Sequence, residues 1–74
     1  TMFPHEIGMA ATFNPQLVYE GAQIAAYETK AGNAPWNFSP VLDLGRDARW
    51  SRIYETYGED VYLASQMGMA CIKG

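Results

Sequence analysis

Between Asp43 and Asp60 the sequence gathers three arginines, five carboxylates and three aromatic residues within 18 positions. Arginine carries a planar fork of donors that engages two adjacent acceptors at once, and aromatic faces suit the apolar faces of sugar rings. A stretch that mixes the two is chemically a receptor for a polyol or a carboxylate. The simpler reading is that the arginines and carboxylates satisfy one another and lock a long loop, with Trp50, Tyr54 and Tyr57 serving as packing. Asp43, Asp47, Glu55 and Glu59 offer candidates for a pair of carboxyl groups that would do acid–base work. Spacing inside one loop fixes no distance between them, so the signal is weak.

Other reactive side chains are less informative. His5 follows Pro4 in a small apolar segment, where a buried, hydrogen-bonded histidine is the simpler role than a base. Cys71 has no cationic neighbour in sequence to lower its pKa and falls on the inward face of a helical pattern, which argues against a nucleophile. Met67 and Met69 read as core filler, and Glu20 and Glu28 as solvated positions on a helix.

The elements that must hold the loop can be read on either side of it. Asn14-Pro15 is a helix start, with a capping side chain followed by a residue whose φ is preset for the first turn. The helix runs from Pro15 to about Ala31, with Leu17, Gly21, Ile24 and Glu28 on one stripe and Val18, Ala22 and Ala25 beside it. Gly32-Asn33 supplies the stop, since both residues tolerate a left-handed conformation. Trp36 to Leu44 is aromatic and branched and suits a strand that bends or ends at Pro40. Asp60 caps a second helix over Val61 to Lys73, with Leu63, Met67, Ala70 and Cys71 inward, and Ile7 to Thr12 suits a short first strand.

The expected order is thus strand, helix, strand, long loop, helix: about two βα units of an α/β domain. Ligands in such domains sit on the loops after the strands, which is where the arginines fall. Two parallel strands and two helices cannot cover both faces of a sheet, so the pattern reads as a slice of something larger.

Composition sets limits on the rest. The chain has 74 residues, a net charge of −3 and 49% hydrophobic residues, a globular composition. A domain of this size buries only about 60% of the surface of its unfolded chain and usually needs staples. One cysteine and one histidine rule out an internal disulfide and a closed structural zinc site of the usual kind. Five basic residues against eight acidic ones give no footprint for nucleic acid. The apolar stretches are too short and interrupted to span a bilayer, and no basic start with an apolar run marks a signal peptide.

Two long motifs point to a family. Phe3-Pro4-His5-Glu6-Ile7-Gly8-Met9-Ala10-Ala11-Thr12-Phe13-Asn14-Pro15 resembles the FPxxIGxAATxxP segment of glycoside hydrolase family 3. Ser39 to Arg52 is similar to its PVLDLxRDPRWGR signature, and Glu55 to Asp60 continues like ETFGEDP. The resemblance covers the whole chain, residues 1–74, and looks closest to the β-glucosidase and β-xylosidase branch.

That resemblance implies a piece of an N-terminal catalytic (β/α)₈ barrel, with no complete domain present and a second α/β domain elsewhere in the parent protein. It implies a retaining exo-acting β-glycosidase, which works through two carboxyl groups that lie outside this segment. It implies no metal or cofactor, a β-glucoside or β-xyloside as substrate, and a periplasmic or secreted bacterial enzyme. The arginine that closes the second motif aligns with Arg52, and in the family it hydrogen-bonds hydroxyls of the sugar in subsite −1. Asp47 and Glu55 are the expected carboxylates that hold the loop around it. Two departures bear on its placement. Ala48 stands in place of the usual proline, and Ser51 replaces a glycine, which would strain the turn if that position required positive φ. The alternative is a catalytically inactive, freestanding fragment that folds only by self-association.

Overall fold

The computed structural model describes all residues 1–74. Its elements are helical: α1 over Glu6–Ala10, α2 over Pro15–Ala31, a single 3₁₀ turn over Ile53–Glu55, and α3 over Val61–Lys73. The two long helices begin where their caps dictate. Asn14 Oδ1 accepts from the Gln16 amide at 3.1 Å with Pro15 in the first turn, and Asp60 Oδ1 accepts from the Tyr62 amide at 2.9 Å. Each satisfies one of the amides that a helix start leaves without an intrahelical partner.

The end of α2 forms as the Gly32-Asn33 pair predicts, with the roles divided. Gly32 stays at φ −82°, and Asn33 takes the left-handed conformation at φ 63°. The Asn33 amide donates to the Lys30 carbonyl at 3.0 Å and the Ala34 amide to the Thr29 carbonyl at 3.1 Å, the paired bonds of a Schellman stop.

The α/β expectation is corrected: the chain contains no strand, so it does not form a two-βα slice of a (β/α)₈ barrel. Ile7 to Ala10, expected in the first strand, lie inside α1. Glu6 in the first turn of α1 complements the partial positive charge of its N-terminus. Trp36 to Leu44, expected as the second strand, lacks regular structure. Its backbone hydrogen bonds explain why. The Val41 amide donates to Glu6 Oε1 and the Ser39 amide to Asn37 Oδ1, and no ladder bond forms. A strand exists only beside another, and the segment that would have paired with this one is helical.

What core there is lies between α2, α3 and the stretch before α3. Ala10, Val18, Tyr57, Ala64 and Met67 are buried, and Met9, Leu44, Leu63, Ala70 and Cys71 pack around them half-exposed. On α2 the buried pair is Val18 and Gly21, while Leu17 and Ile24, on the same stripe as Gly21, stand exposed. Gly68 on α3 makes room for Leu42: a Cβ at that position would meet Leu42 Cδ2 at 2.7 Å. The molecule is only 17 Å across its thinnest direction, less than two helix diameters. Such a slab cannot enclose much, which is why Leu42, Val61, Met69 and Ile72 remain exposed along one groove.

Met67 is fully buried and Met69, two residues on, is half-exposed. By denaturant titration, Met67→Ala should lower stability by about 2–5 kcal/mol. Met69→Ala should cost less than about 1 kcal/mol by the same denaturant titration.

Candidate functional site

Arg52 stands at the entry to the 3₁₀ turn, its carbonyl accepting from the Glu55 amide at 3.0 Å. A 3₁₀ turn brings residues three apart onto the same side, and this sets Glu55 against the guanidinium. Arg52 Nε donates to Glu55 Oε2 at 2.6 Å and Nη2 donates to Oε1 at 3.0 Å. The result is a charge-assisted fork, which has geometric direction as well as strength. A guanidinium has five N–H donors; Glu55 engages two, and three stay available on the outer edge. The arginine side chain is 62% exposed and the glutamate 28%, so the carboxylate forms the floor and the arginine the surface.

The electrostatics follow the hydrogen bonds. The Arg52 donors hold the Glu55 carboxyl below the usual carboxylate range, opposed by burial and helped further by the charges of Arg52 and His5. In return, the Glu55 hydrogen bonds raise the Arg52 guanidinium further above the physiological range. Both groups are ionised at neutral pH.

Asp47 is placed elsewhere. Its Oδ1 accepts from the Arg49 amide at 2.9 Å and from Arg49 Nε at 3.1 Å, and its Oδ2 accepts from Arg49 Nη2 at 2.8 Å. Hydrogen bonds from Arg49 depress its carboxyl. The loop therefore contains two separate arginine–carboxylate forks, and the structure brings together Arg52 and Glu55 but not Asp47. Left-handed backbone occurs at Phe13, Asn33 and Gly58, so Ser51 carries none of the strain that its replacement of glycine suggested.

The loop is closed at its base. The Gly45 amide donates to the Gly58 carbonyl at 2.9 Å. Thr56, wholly buried, donates through Oγ1 to the Ile53 carbonyl at 2.8 Å and accepts from the Gly58 amide at 3.2 Å. α1 then packs against the 3₁₀ turn. His5 is exposed, not buried, and its ring meets Tyr54 edge-on with centroids 4.8 Å apart. Glu6 was not singled out by sequence reading, yet its carboxylate takes the Val41 amide at 3.1 Å across 35 residues of chain. A glutamate opening a short helix carries no sign of so distant a partner.

Residues 1–74 match the family model described as the glycosyl hydrolase family 3 N terminal domain. The chain belongs to glycosyl hydrolase family 3. Among curated family 3 proteins it is 53% identical over 74 residues to the lysosomal beta glucosidase of Dictyostelium discoideum, covering all of this chain and 9% of that protein. It is 38% identical over 73 residues to the periplasmic beta-glucosidase of Salmonella typhimurium, covering 99% of this chain and 10% of that one. It is 41% identical over 75 residues to a beta-xylosidase of Formosa agariphila, again covering 10% of the relative. The family 3 segment thus spans about a tenth of the length of the curated relatives it matches.

The Arg52–Glu55 fork has a pH signature. A carboxyl whose pKa is depressed on folding contributes stability above its unfolded pKa, and that contribution is lost as pH falls through the folded value. Carbon-13 NMR titration should find the Glu55 midpoint below the ordinary glutamate value, and Arg52→Ala should move it upward. A midpoint unchanged by Arg52→Ala would mean that the fork does not persist in solution.

Proposed function

We propose that this family 3 segment is part of the N-terminal domain of a retaining, exo-acting β-glycosidase of the β-glucosidase type, acting on terminal non-reducing β-D-glucosyl residues. In this reading Arg52 donates to hydroxyls of the sugar in subsite −1. Glu55 orients the guanidinium from beneath, and Asp47 steadies the neighbouring part of the loop through Arg49. The two carboxyl groups that retention requires come from residues outside 1–74. A further α/β domain is the expected neighbour in the parent protein.

The observation that carries this reading is the one-sided fork. Glu55 occupies the Nε and Nη2 edge of Arg52 and leaves three N–H groups on an exposed side chain. Adjacent sugar hydroxyls present the closely spaced acceptors that such an edge can serve. Support also comes from the relatives, two of which are named beta-glucosidase and one beta-xylosidase.

In the full-length hydrolase, Arg52→Ala should lower kcat/KM for an aryl β-glucoside on the order of 10- to 100-fold, the range for losing a hydrogen bond from a charged donor. Arg52→Lys should recover little of it, because an ammonium cannot engage Glu55 and a substrate with a planar fork. Normal kcat/KM in Arg52→Ala would remove Arg52 from the site.

A second reading concerns the isolated 74-residue chain, and the thinness of its core favours it: only five hydrophobic residues are buried. Ordering a backbone costs roughly 1–2 kcal/mol per residue, and a core this small repays little of that. Alone, the chain should self-associate through its exposed apolar groove and show no turnover of an aryl β-glucoside. Light scattering that found a well-folded monomer would overturn the first statement, and turnover by pure chain the second.

A further inference from the structure

We propose that Glu6 is a positioning residue for Arg52, its single carboxylate fastening the segment that enters the arginine loop to the helix on which the 3₁₀ turn rests. The proposal builds on the reading of Arg52 as a sugar-binding donor. Its basis is the way the start of α1 grips the loop on two sides. On one side, Glu6 Oε1 accepts from the Val41 amide at 3.1 Å, the only hydrogen bond between residues 36–44 and any helix. On the other, the His5 ring meets Tyr54 of the 3₁₀ turn edge-on at 4.8 Å, and α1 packs along that turn.

Movement at Val41 has a direct route to Arg52. Four residues on, Gly45 is bonded to Gly58 at 2.9 Å. A Cβ on Gly45 would meet Thr56 Oγ1 at 2.7 Å and Ile53 Cγ1 at 2.9 Å, so the incoming segment lies directly against the 3₁₀ turn. A shift of the incoming segment is therefore passed to the turn that presents the Arg52–Glu55 fork. Misplacing a substrate-positioning group by about 1 Å is enough to cost as much as 100-fold in rate.

The chemistry of Glu6 is unusual for a side chain whose role is only to fold the chain. Its Oε2 is buried without a hydrogen-bond partner. Burial pushes its pKa above the usual carboxylate range, opposed by the Val41 hydrogen bond, and Glu55 nearby adds repulsion. Glu6 lines one mostly apolar cavity with Phe3, Met9, Val18, Tyr57 and Cys71, a place that an apolar side chain would occupy at lower cost than a half-satisfied carboxylate. What an apolar side chain cannot do is accept the Val41 amide.

The test uses the full-length hydrolase, with Glu6→Leu, Glu6→Gln, Arg52→Ala and the double variant Glu6→Leu/Arg52→Ala assayed on an aryl β-glucoside. Glu6→Leu should lower kcat/KM on the order of 10-fold while the protein stays folded by circular dichroism. Glu6→Gln keeps an acceptor for Val41 and should remain within about 2-fold of the parent. In the Arg52→Ala background, Glu6→Leu should cost almost nothing further, because residues acting through one interaction are not additive. Should Glu6→Leu fail to fold, Glu6→Asp, one methylene shorter and still charged, takes its place with the same expected loss. A folded Glu6→Leu or Glu6→Asp with unchanged kcat/KM overturns the proposal, as do losses that multiply in the double variant. A normal Arg52→Ala instead overturns the sugar-binding reading, and this proposal with it.

Discussion

The hydrogen bond from the Gly45 amide to the Gly58 carbonyl closes the arginine loop at its base, and the placement of every charged group above it depends on that closure. Closing a polar loop leaves amides and carbonyls pointing inward, and each must find a partner. Thr56 supplies one side chain for both needs, donating to the Ile53 carbonyl and accepting from the Gly58 amide. It is the only polar residue among those fully buried. Glycine at position 45 is required for space, since a side chain there would collide with the threonine and with Ile53. Tyr57, buried beside Thr56, fastens the same stretch to the helices. Without that anchoring the loop would be a long charged connection with no fixed geometry.

Two forks of the same chemistry then take different characters from their supports. Arg49 and Asp47 are two residues apart, with side chains 91% and 55% exposed. An ion pair that open to water is screened by salt and holds little orientation. Arg52 and Glu55 share a turn that leans on α1, and the glutamate is largely shielded. The second pair can therefore keep a guanidinium aimed in one direction, which a binding group needs and a surface ion pair does not. The difference lies in what is beneath each carboxylate, not in the arginines.

The start of α1 joins these features to the rest of the chain. His5 and Glu6 are adjacent, and one touches the turn while the other holds the segment leading into the loop. Because the slab is thin and its core small, polar contacts of this kind take over positioning that a larger domain would assign to packing. The half-satisfied Glu6 carboxylate is the cost of that arrangement.

The local features were legible in the residues themselves. Asn14-Pro15 and Gly32-Asn33 set both ends of α2 and Asp60 sets the start of α3, because a cap acts over two or three residues and needs nothing distant. The family motifs and the concentration of arginines in one loop were also plain in the sequence, together with Arg52 as the candidate donor and Asp47 and Glu55 as the carboxylates expected around it. Tertiary structure decided everything that requires a partner far along the chain. Trp36 to Leu44 has strand composition, yet it forms no strand because no second strand lies beside it. Glu6 reached Val41, 35 residues away, because distance in space and not order in sequence selects who shares such a hydrogen bond. Short-range hydrogen bonding can be read from residue types, whereas ladder pairing and long-range anchoring depend on which surfaces the fold brings together.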